Sequence, residues 1–367
     1  MKPSFWKDKT VLITGHTGFK GSWLSLWLQQ VGAKVIGFSL DPPSEPNLFT
    51  LADVAKNMIH IHGDIRKIDD LKKTIIEHQP DIVFHMAAQS LVQHSYQHPL
   101  ETYETNVLGT IYIFETLRCS KNTRVIINVT SDKCYENLGK NEGYCEHEAL
   151  GGYDPYSNSK ACADLVGAAF RRTFSLPIAS VRAGNVIGGG DWANNRLIPD
   201  VMRAFMQNKP IQIRHTNAIR PWQFVLEPLD GYLILAEKLW DSPCDYTDAW
   251  NFGPSEEDVQ PVQVIVERLI ELWGEGASWV QDKNIYAHEA QTLRLNILKA
   301  KTKLGWSPKL TIHDALGNVV NWYKAWRNNQ DVREVTLKQI ETYMQTSVLD
   351  KKSHTAHFED SVEICSL

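Results

Sequence analysis

The sequence predicts an α/β fold, a doubly wound parallel sheet of the Rossmann type followed by a smaller mixed α/β lobe. Three observations predict it. Six strand-like runs alternate with helical patterns between Lys9 and Arg182. Most of these runs are continuously apolar rather than alternating, as strands covered on both faces are. Glycine-rich or polar clusters follow the strands directly, at the carboxyl ends where such sheets bind ligands.

The first run, Lys9 to Thr14, leads into Gly15-His16-Thr17-Gly18-Phe19-Lys20-Gly21 and then a helical pattern from Ser22 to Val31. Strand, glycine turn and helix together bring a pyrophosphate close to free helix N–H groups. The second run, Lys34 to Leu40, ends at Asp41, twenty residues after Gly21. An acid there suits two ribose hydroxyls and repels a 2′-phosphate, so NAD is favoured over NADP; Ser39 is the other candidate for the ribose. Asn57 to His62 precedes Gly63-Asp64-Ile65, and Leu71, Ile75 and Ile76 mark the next helix. Asp81 to His85 precedes Met86-Ala87-Ala88-Gln89, and a long helix after Pro99 carries Tyr103, Asn106, Phe114 and Leu117.

The fifth run, Arg124 to Val129, ends in Thr130-Ser131-Asp132-Lys133. After an acidic, glycine-rich loop, Pro155 opens a helix bearing Tyr156 and Lys160. Four residues apart, they share one face. An ammonium beside a phenol lowers its pKa and tunes it to exchange a proton with an alcohol. The small residues Ala161, Ala163, Val166, Ala168 and Ala169 suit packing on the sheet or on another subunit. Pro177 to Arg182 is the sixth strand, followed by a glycine-rich loop from Ala183 to Trp192. Beyond it the rhythm weakens: helices are expected at Asn194 to Met206, Leu229 to Leu239, Pro261 to Trp273 and Ile312 to Asn328, with short strands at Ile211, Phe224 and Ala249 to Phe252.

Composition narrows the partners. The 367 residues are 43% hydrophobic and 22% charged, with a net charge of −5 and mixed signs. Nothing there favours nucleic acid or a membrane surface. No signal-peptide core or membrane-length apolar run is seen. The six cysteines are scattered without a C-x-x-C, which argues against a disulfide framework or a zinc site and for a reducing cytoplasm. His60, His62, His78, His94 and His98 lack metal-ligand spacing, so no metal is expected, and His16 and His85 read as structural.

The glycine loop, Asp64-Ile65, Ala87-Ala88, Asn106, Ser131, Tyr156-x-x-x-Lys160, Arg220-Pro221-Trp222 and Leu304-Gly305-Trp306-Ser307-Pro308 together resemble the extended short-chain dehydrogenase/reductase family, over residues 9 to 310. The resemblance implies NAD as cofactor. Its contacts would be Gly15, Thr17, Gly18, Phe19, Lys20, Gly21, Asp41, Asp64, Ile65, Ala87, Ala88, Gln89, Asn106, Thr130, Tyr156 and Lys160. Asn185, Arg196 and Arg220 match substrate positions of nucleotide-sugar enzymes. Implied domains are an NAD-binding unit over 1–182 plus about 222–245, a sugar-nucleotide lobe over 183–221 and 246–330, and a C-terminal helix and flexible tail over 331–367. A homodimer or homotetramer is implied as well.

The run Ser131-Asp132-Lys133 is similar to that of 4,6-dehydratases acting on CDP-D-glucose, with Lys133 where other dehydratases carry Glu. The implied reaction oxidises carbon 4, which acidifies the hydrogen on carbon 5; water then leaves across carbons 5 and 6, and hydride returns to carbon 6. Catalytic residues are Ser131, Asp132, Lys133, Tyr156 and Lys160, with Lys133 as base and Asp132 as acid. Such a base needs a lowered pKa and such an acid a raised one, which their adjacency opposes unless the two side chains point differently. The alternatives are a 4-epimerase and a dehydratase of another nucleotide sugar.

Overall fold

The structure, a computed structural model, describes residues 1–140, 142–282 and 293–346. Seven parallel strands form the main sheet: β1 (Thr10–Thr14), β2 (Lys34–Ser39), β3 (Ile59–His62), β4 (Ile82–His85), β5 (Val125–Val129), β6 (Ile178–Ala183) and β7 (Ala249–Phe252). Their order is β7-β6-β5-β4-β1-β2-β3. The order reverses between β1 and β4, which opens a crevice at their carboxyl ends.

Alternate side chains of the central strands feed two cores, while the edge strand β3 is largely exposed. Val11, Ile13, Phe84 and Ile127 join Trp23 and Trp27 of helix Phe19–Gln30 and Leu229 and Leu233 of helix Leu226–Asp241. Leu12, Val83 and Ile126 turn the other way, onto Leu71 and Ile75 of helix Ile68–His78 and Phe114 of helix Gly109–Arg118. Ile76, expected with them, is exposed.

Several expectations are corrected. Ala249–Phe252, allotted to the smaller lobe, pairs in parallel with β6 and is the edge of the main sheet. Its four residues are all buried, and β6 offers them the free edge they need. The long helix after Pro99 is not uniform: a π-helical turn, Glu104–Leu108, separates Pro99–Tyr103 from Gly109–Arg118. The helix expected from Asn194 begins at Leu197, because Asn195 is left-handed and Arg196 extended. In the Tyr156 helix, Ala161 and Ala163 are buried within the chain while Ala169 is exposed.

The lobe over the crevice holds three two-stranded pairings: Val186–Ile187 with Gln223–Phe224, Ile219–Arg220 with Gln260–Pro261, and Ile211–Ile213 with Trp279–Gln281. Among the described residues Cys119, Cys134, Cys145, Cys162 and Cys244 are free thiols. No described helix is long and apolar enough to cross a membrane. Cys365 and the tail expected to be flexible fall outside the described residues.

One buried carboxylate ties the C-terminal helices to the sheet domain. Glu227 accepts from the main-chain N–H of Lys309 (2.9 Å) and Leu310 (2.7 Å) and from the Tyr343 hydroxyl (2.7 Å). Helix Val332–Gln345 thereby docks on helix Phe19–Gln30, with the Trp27 and Tyr343 rings 5.7 Å apart. Glu227→Ala would strand these donors in the core. We expect it to cost about 3 kcal/mol or more and to lower Tm by several degrees in a thermal melt. An unchanged Tm would remove this anchor from the account.

Candidate active site

The crevice begins at the glycine loop. Gly15 adopts φ +78°, and a Cβ there would lie 2.7 Å from the Ala87 nitrogen. A Cβ on Gly21 would strike the Gly15 carbonyl oxygen at 2.2 Å. These two glycines let the turn fold against β4 and against itself. Gly18 differs, since its Cβ would meet only the Gly15 oxygen, at 3.4 Å, and otherwise open space. It caps helix Phe19–Gln30 without a side-chain hydrogen bond, and no acid stands in the first turn. An open cradle with a bare helix N-terminus fits a dinucleotide pyrophosphate. The Thr17 hydroxyl pins the loop to the end of β2, donating to the Leu40 carbonyl (2.9 Å) and sharing a hydrogen bond with Ser39 (2.8 Å). Asp41, expected at the ribose, is exposed and lies 3.6 Å from His62.

Other expected cofactor residues have engaged side chains. Arg66 holds Asp64 through Nε (3.0 Å) and Nη2 (2.7 Å) and keeps its carboxyl below the usual range. Ile65 is buried. Asn106, on the π turn, accepts from the Gln89 N–H (2.8 Å) and donates to the Gln89 carbonyl (3.0 Å) and to Ser159 (2.9 Å). It fastens the Ala87-Ala88-Gln89 loop to the Tyr156 helix. The Gln89 amide donates to Thr102 and the Leu91 carbonyl. Thr130 donates to Asp164 (3.0 Å), which pairs with the buried Arg182. These contacts build the wall of the crevice.

The Tyr156 helix starts at Pro155 under an Asp154 cap that accepts from the Ser157 N–H at 2.9 Å. Tyr156 and Lys160 are both buried. The phenol hydrogen-bonds Ser131, but burial outweighs that bond and pushes its pKa up to about 12. The expectation that Lys160 lowers the phenol pKa is therefore corrected for this state. Lys160 donates to the Val129 carbonyl (3.1 Å), and burial brings its own pKa down to about 8.

Ser131 also donates to Asp132 Oδ1 (3.0 Å) and accepts from the Lys133 N–H (3.2 Å). Burial raises the Asp132 pKa against the pull of Lys133, the Ser131 bond and Arg220. Asp132 Oδ2 is buried and has no hydrogen-bond partner among the described residues. Lys133 is half-buried, on the next residue of the same short turn. The loop after β6 closes over this acid: a Cβ on Gly184 would lie 3.1 Å from Asp132 Oδ2 and 2.6 Å from Pro221.

The residues expected to meet the substrate border the same crevice. The Asn185 carbonyl accepts from the Gln223 N–H at 3.0 Å. Arg196 bridges Asp191 (3.1 Å) and Ser90 (3.2 Å), and its charge acts on Tyr156. Arg220 is buried and its charge acts on Asp132.

Sequence reasoning missed two features. The direction of Lys20, expected among the cofactor contacts, is the first: its ammonium donates to the Tyr232 hydroxyl at 3.1 Å, within range of the charges of Lys160, Arg196 and Asp132. The presence of a Lys inside the glycine run was the one available signal. His94 and His98, read as lacking ligand spacing, come together with Glu101, their donor atoms all within 4.8 Å of one another. A helix break at His98 creates this partly exposed group, in which His94 already bonds Glu101 at 3.0 Å. His16 and His85 are buried and neutral, with pKa values pushed down to about 3 by burial.

Known proteins resemble this chain over both parts of the fold. The family model described as GDP-mannose 4,6 dehydratase matches residues 12–319. The CDP-glucose 4,6-dehydratase of Salmonella typhimurium is 48% identical over 353 residues, 94% of this chain and 98% of that protein. A dTDP-glucose 4,6-dehydratase of Xanthomonas campestris pv. campestris is 27% identical over 86% of this chain and 93% of its own. Among solved structures, the dTDP-glucose 4,6-dehydratase of Bacillus anthracis in complex with NAD has a TM-score of 0.75 at 24% identity, covering 89% of this chain and 99% of that one. The UDP-glucose 4-epimerase of Thermotoga maritima has the same TM-score at 20% identity, covering 86% and 99%. Fold likeness thus spans dehydratases and epimerases alike, whereas the match in sequence runs from β1 through the lobe and into the C-terminal helices: the chain belongs to the GDP-mannose 4,6 dehydratase family.

Proposed function

We propose that this chain converts CDP-D-glucose to CDP-4-dehydro-6-deoxy-D-glucose, an NAD-dependent hydro-lyase reaction. The observation that carries the reading is Asp132: a buried acid with a raised pKa, bonded through Ser131 to the phenol of the redox site. Redox at carbon 4 alone has no use for such an acid; elimination does. The 48% identity to a CDP-glucose 4,6-dehydratase over nearly the whole chain supports the nucleotide.

NAD, when held by the glycine loop, supplies a hydride acceptor that the cycle regenerates. Tyr156 takes the proton of the carbon 4 hydroxyl, oriented by Ser131. With its phenol raised to about 12, Tyr156 needs a cation to ionise, and Lys160 supplies it by leaving the Val129 carbonyl. Asp132, whose pKa is raised by burial, gives its proton to the departing carbon 6 hydroxyl. Lys133, beside it and more exposed, takes the carbon 5 proton. Arg196 and Arg220 hold the diphosphate, with Asn185 on the sugar.

The requirement for a charged Lys160 sets a pH limit. The ammonium is present below its pKa of about 8 and lost above it. We expect kcat/KM to fall about tenfold per pH unit on that alkaline side. Lys160→Arg, which stays charged, should move the limb upward even where it lowers the rate; a limb that stays in place would assign it to another group.

The function itself is tested by incubating the purified protein and NAD with CDP-, dTDP-, GDP- and UDP-glucose and scoring the alkali absorbance of keto sugars. CDP-glucose should give the signal. A signal from another nucleotide would overturn the substrate, and conversion to the 4-epimer without a keto sugar would overturn the reaction. Exposed Leu100, Leu108 and Leu165 on neighbouring helices support pairing of two copies; a single-chain mass in light scattering would rule it out.

A further inference from the structure

The segment between the Ala87-Ala88-Gln89 loop and the π turn carries His94, His98 and Glu101. Their donor atoms all lie within 4.8 Å of one another. The spacing is four residues and then three, so the side chains stay on one side of the chain. The short helices Val92–Gln97 and Pro99–Tyr103 meet at His98, and main-chain bonds hold the junction. The His98 N–H donates to the His94 carbonyl (2.8 Å), and the Thr102 N–H donates to the His98 carbonyl (3.1 Å). The backbone therefore fixes where the three side chains start.

The side chains are already drawn together. His94 shares a hydrogen bond with Glu101 at 3.0 Å. The His94 and His98 rings stack, with centroids 4.4 Å apart and planes 28° from parallel. An ion pair of His94 with Glu101 accounts for the first contact and leaves the second imidazole unexplained. Two imidazoles and a carboxylate are the donor set of an open zinc site, in which water fills the fourth position. Ligand atoms around a tetrahedral zinc stand about 3.3 Å apart, given bonds of about 2.0 Å. Closing the group therefore asks only for small rotations of the side chains. Side-chain exposures of 36% at His94 and 47% at Glu101 leave the fourth position open to water. Arg66, whose charge reaches Glu101, spends its own hydrogen bonds on Asp64.

We propose that His94, His98 and Glu101 form a binding site for a divalent transition-metal ion, with Zn²⁺ the best match to the donor set. The ion clamps the two helices on either side of the His98 junction. The second of them ends at Tyr103, whose hydroxyl donates to Asn158 of the Tyr156 helix at 3.0 Å. The site is thus a brace against that helix and takes no part in the chemistry proposed above.

The test uses the full chain, stripped with a chelator, without nucleotide or sugar. Zn²⁺ is titrated by calorimetry, and thermal melts are recorded with and without the ion. The wild type should bind one ion per chain with a Kd on the order of 1 μM or tighter. It should gain a few degrees in Tm at saturating Zn²⁺. His94→Ala, His98→Ala and Glu101→Gln should each weaken the site about 100-fold or more and lose the gain. Without Zn²⁺ they should melt near the wild type, because the three side chains are partly or fully exposed. His78→Ala, outside the group, controls for other surface histidines and should bind as the wild type does. A wild-type Kd weaker than about 100 μM, unchanged affinity in the three variants, or an equal loss in His78→Ala would overturn the proposal.

Discussion

Tyr156→Phe is expected to lower kcat by about 10²- to 10⁴-fold, the usual worth of a positioned proton-transfer group. The loss should fall on the first step. Phe keeps the ring and its packing, so the buried site stays filled. It removes the oxygen proposed to take the carbon 4 proton, the one that bonds Ser131. KM for the nucleotide sugar should change little, because the proposed diphosphate contacts, Arg196 and Arg220, are left in place. A single turnover should show neither oxidation at carbon 4 nor elimination. Turnover within tenfold of wild type would mean that another group carries the proton.

Asp132→Asn separates the steps. The amide is nearly the same size, and it can still accept from Ser131, so the turn Asp132–Cys134 should survive. What disappears is the transferable proton. We expect overall turnover to fall about 10²-fold or more, while quenched single turnovers still contain CDP-4-ketoglucose formed by oxidation without elimination. Lys133→Met should give the same split by removing the base. Equal loss of both steps in Asp132→Asn would make Asp132 a positioning group for Ser131 rather than the acid. Unchanged turnover in Lys133→Met would end the role assigned to Lys133.

What could be read from the chain depended on how local the cause was. The β1–glycine loop–helix unit was legible because strand period, glycine spacing and the Trp23-Trp27 stripe all lie within twenty-two residues. The helix opened by Pro155 was equally plain. Ala249–Phe252 was not, since a short apolar strand looks the same at a sheet edge and in a separate lobe; the deciding fact is the free edge of β6, some seventy residues earlier. The π turn at Glu104–Leu108 leaves no sequence signature, yet it sets Asn106 against Gln89 and Ser159.

The site shows the same division. Spacing put Tyr156 and Lys160 on one helix face but said nothing about burial, and burial reverses the expected shift of the phenol. The two side chains also find different partners, Ser131 and the Val129 carbonyl. Asp132 and Lys133 stand out in the sequence as a candidate acid–base pair; that the Asp is buried goes with the loop at Gly184 and Pro221, which packs against its carboxylate. Lys20 was least legible, because the group that aims it, Tyr232, lies 212 residues away in sequence. Side-chain direction set by such a distant partner has no local signal.

A single site is proposed to oxidise carbon 4, eliminate water and return the same hydride to carbon 6. The direct measurement uses CDP-D-glucose carrying deuterium at carbon 4, with the product examined by NMR and mass spectrometry. The expected product is a 4-keto-6-deoxy sugar with that deuterium in its carbon 6 methyl group. Deuterium recovered at carbon 4 of an epimerised sugar, or missing from the carbon 6 methyl of the product, would contradict it.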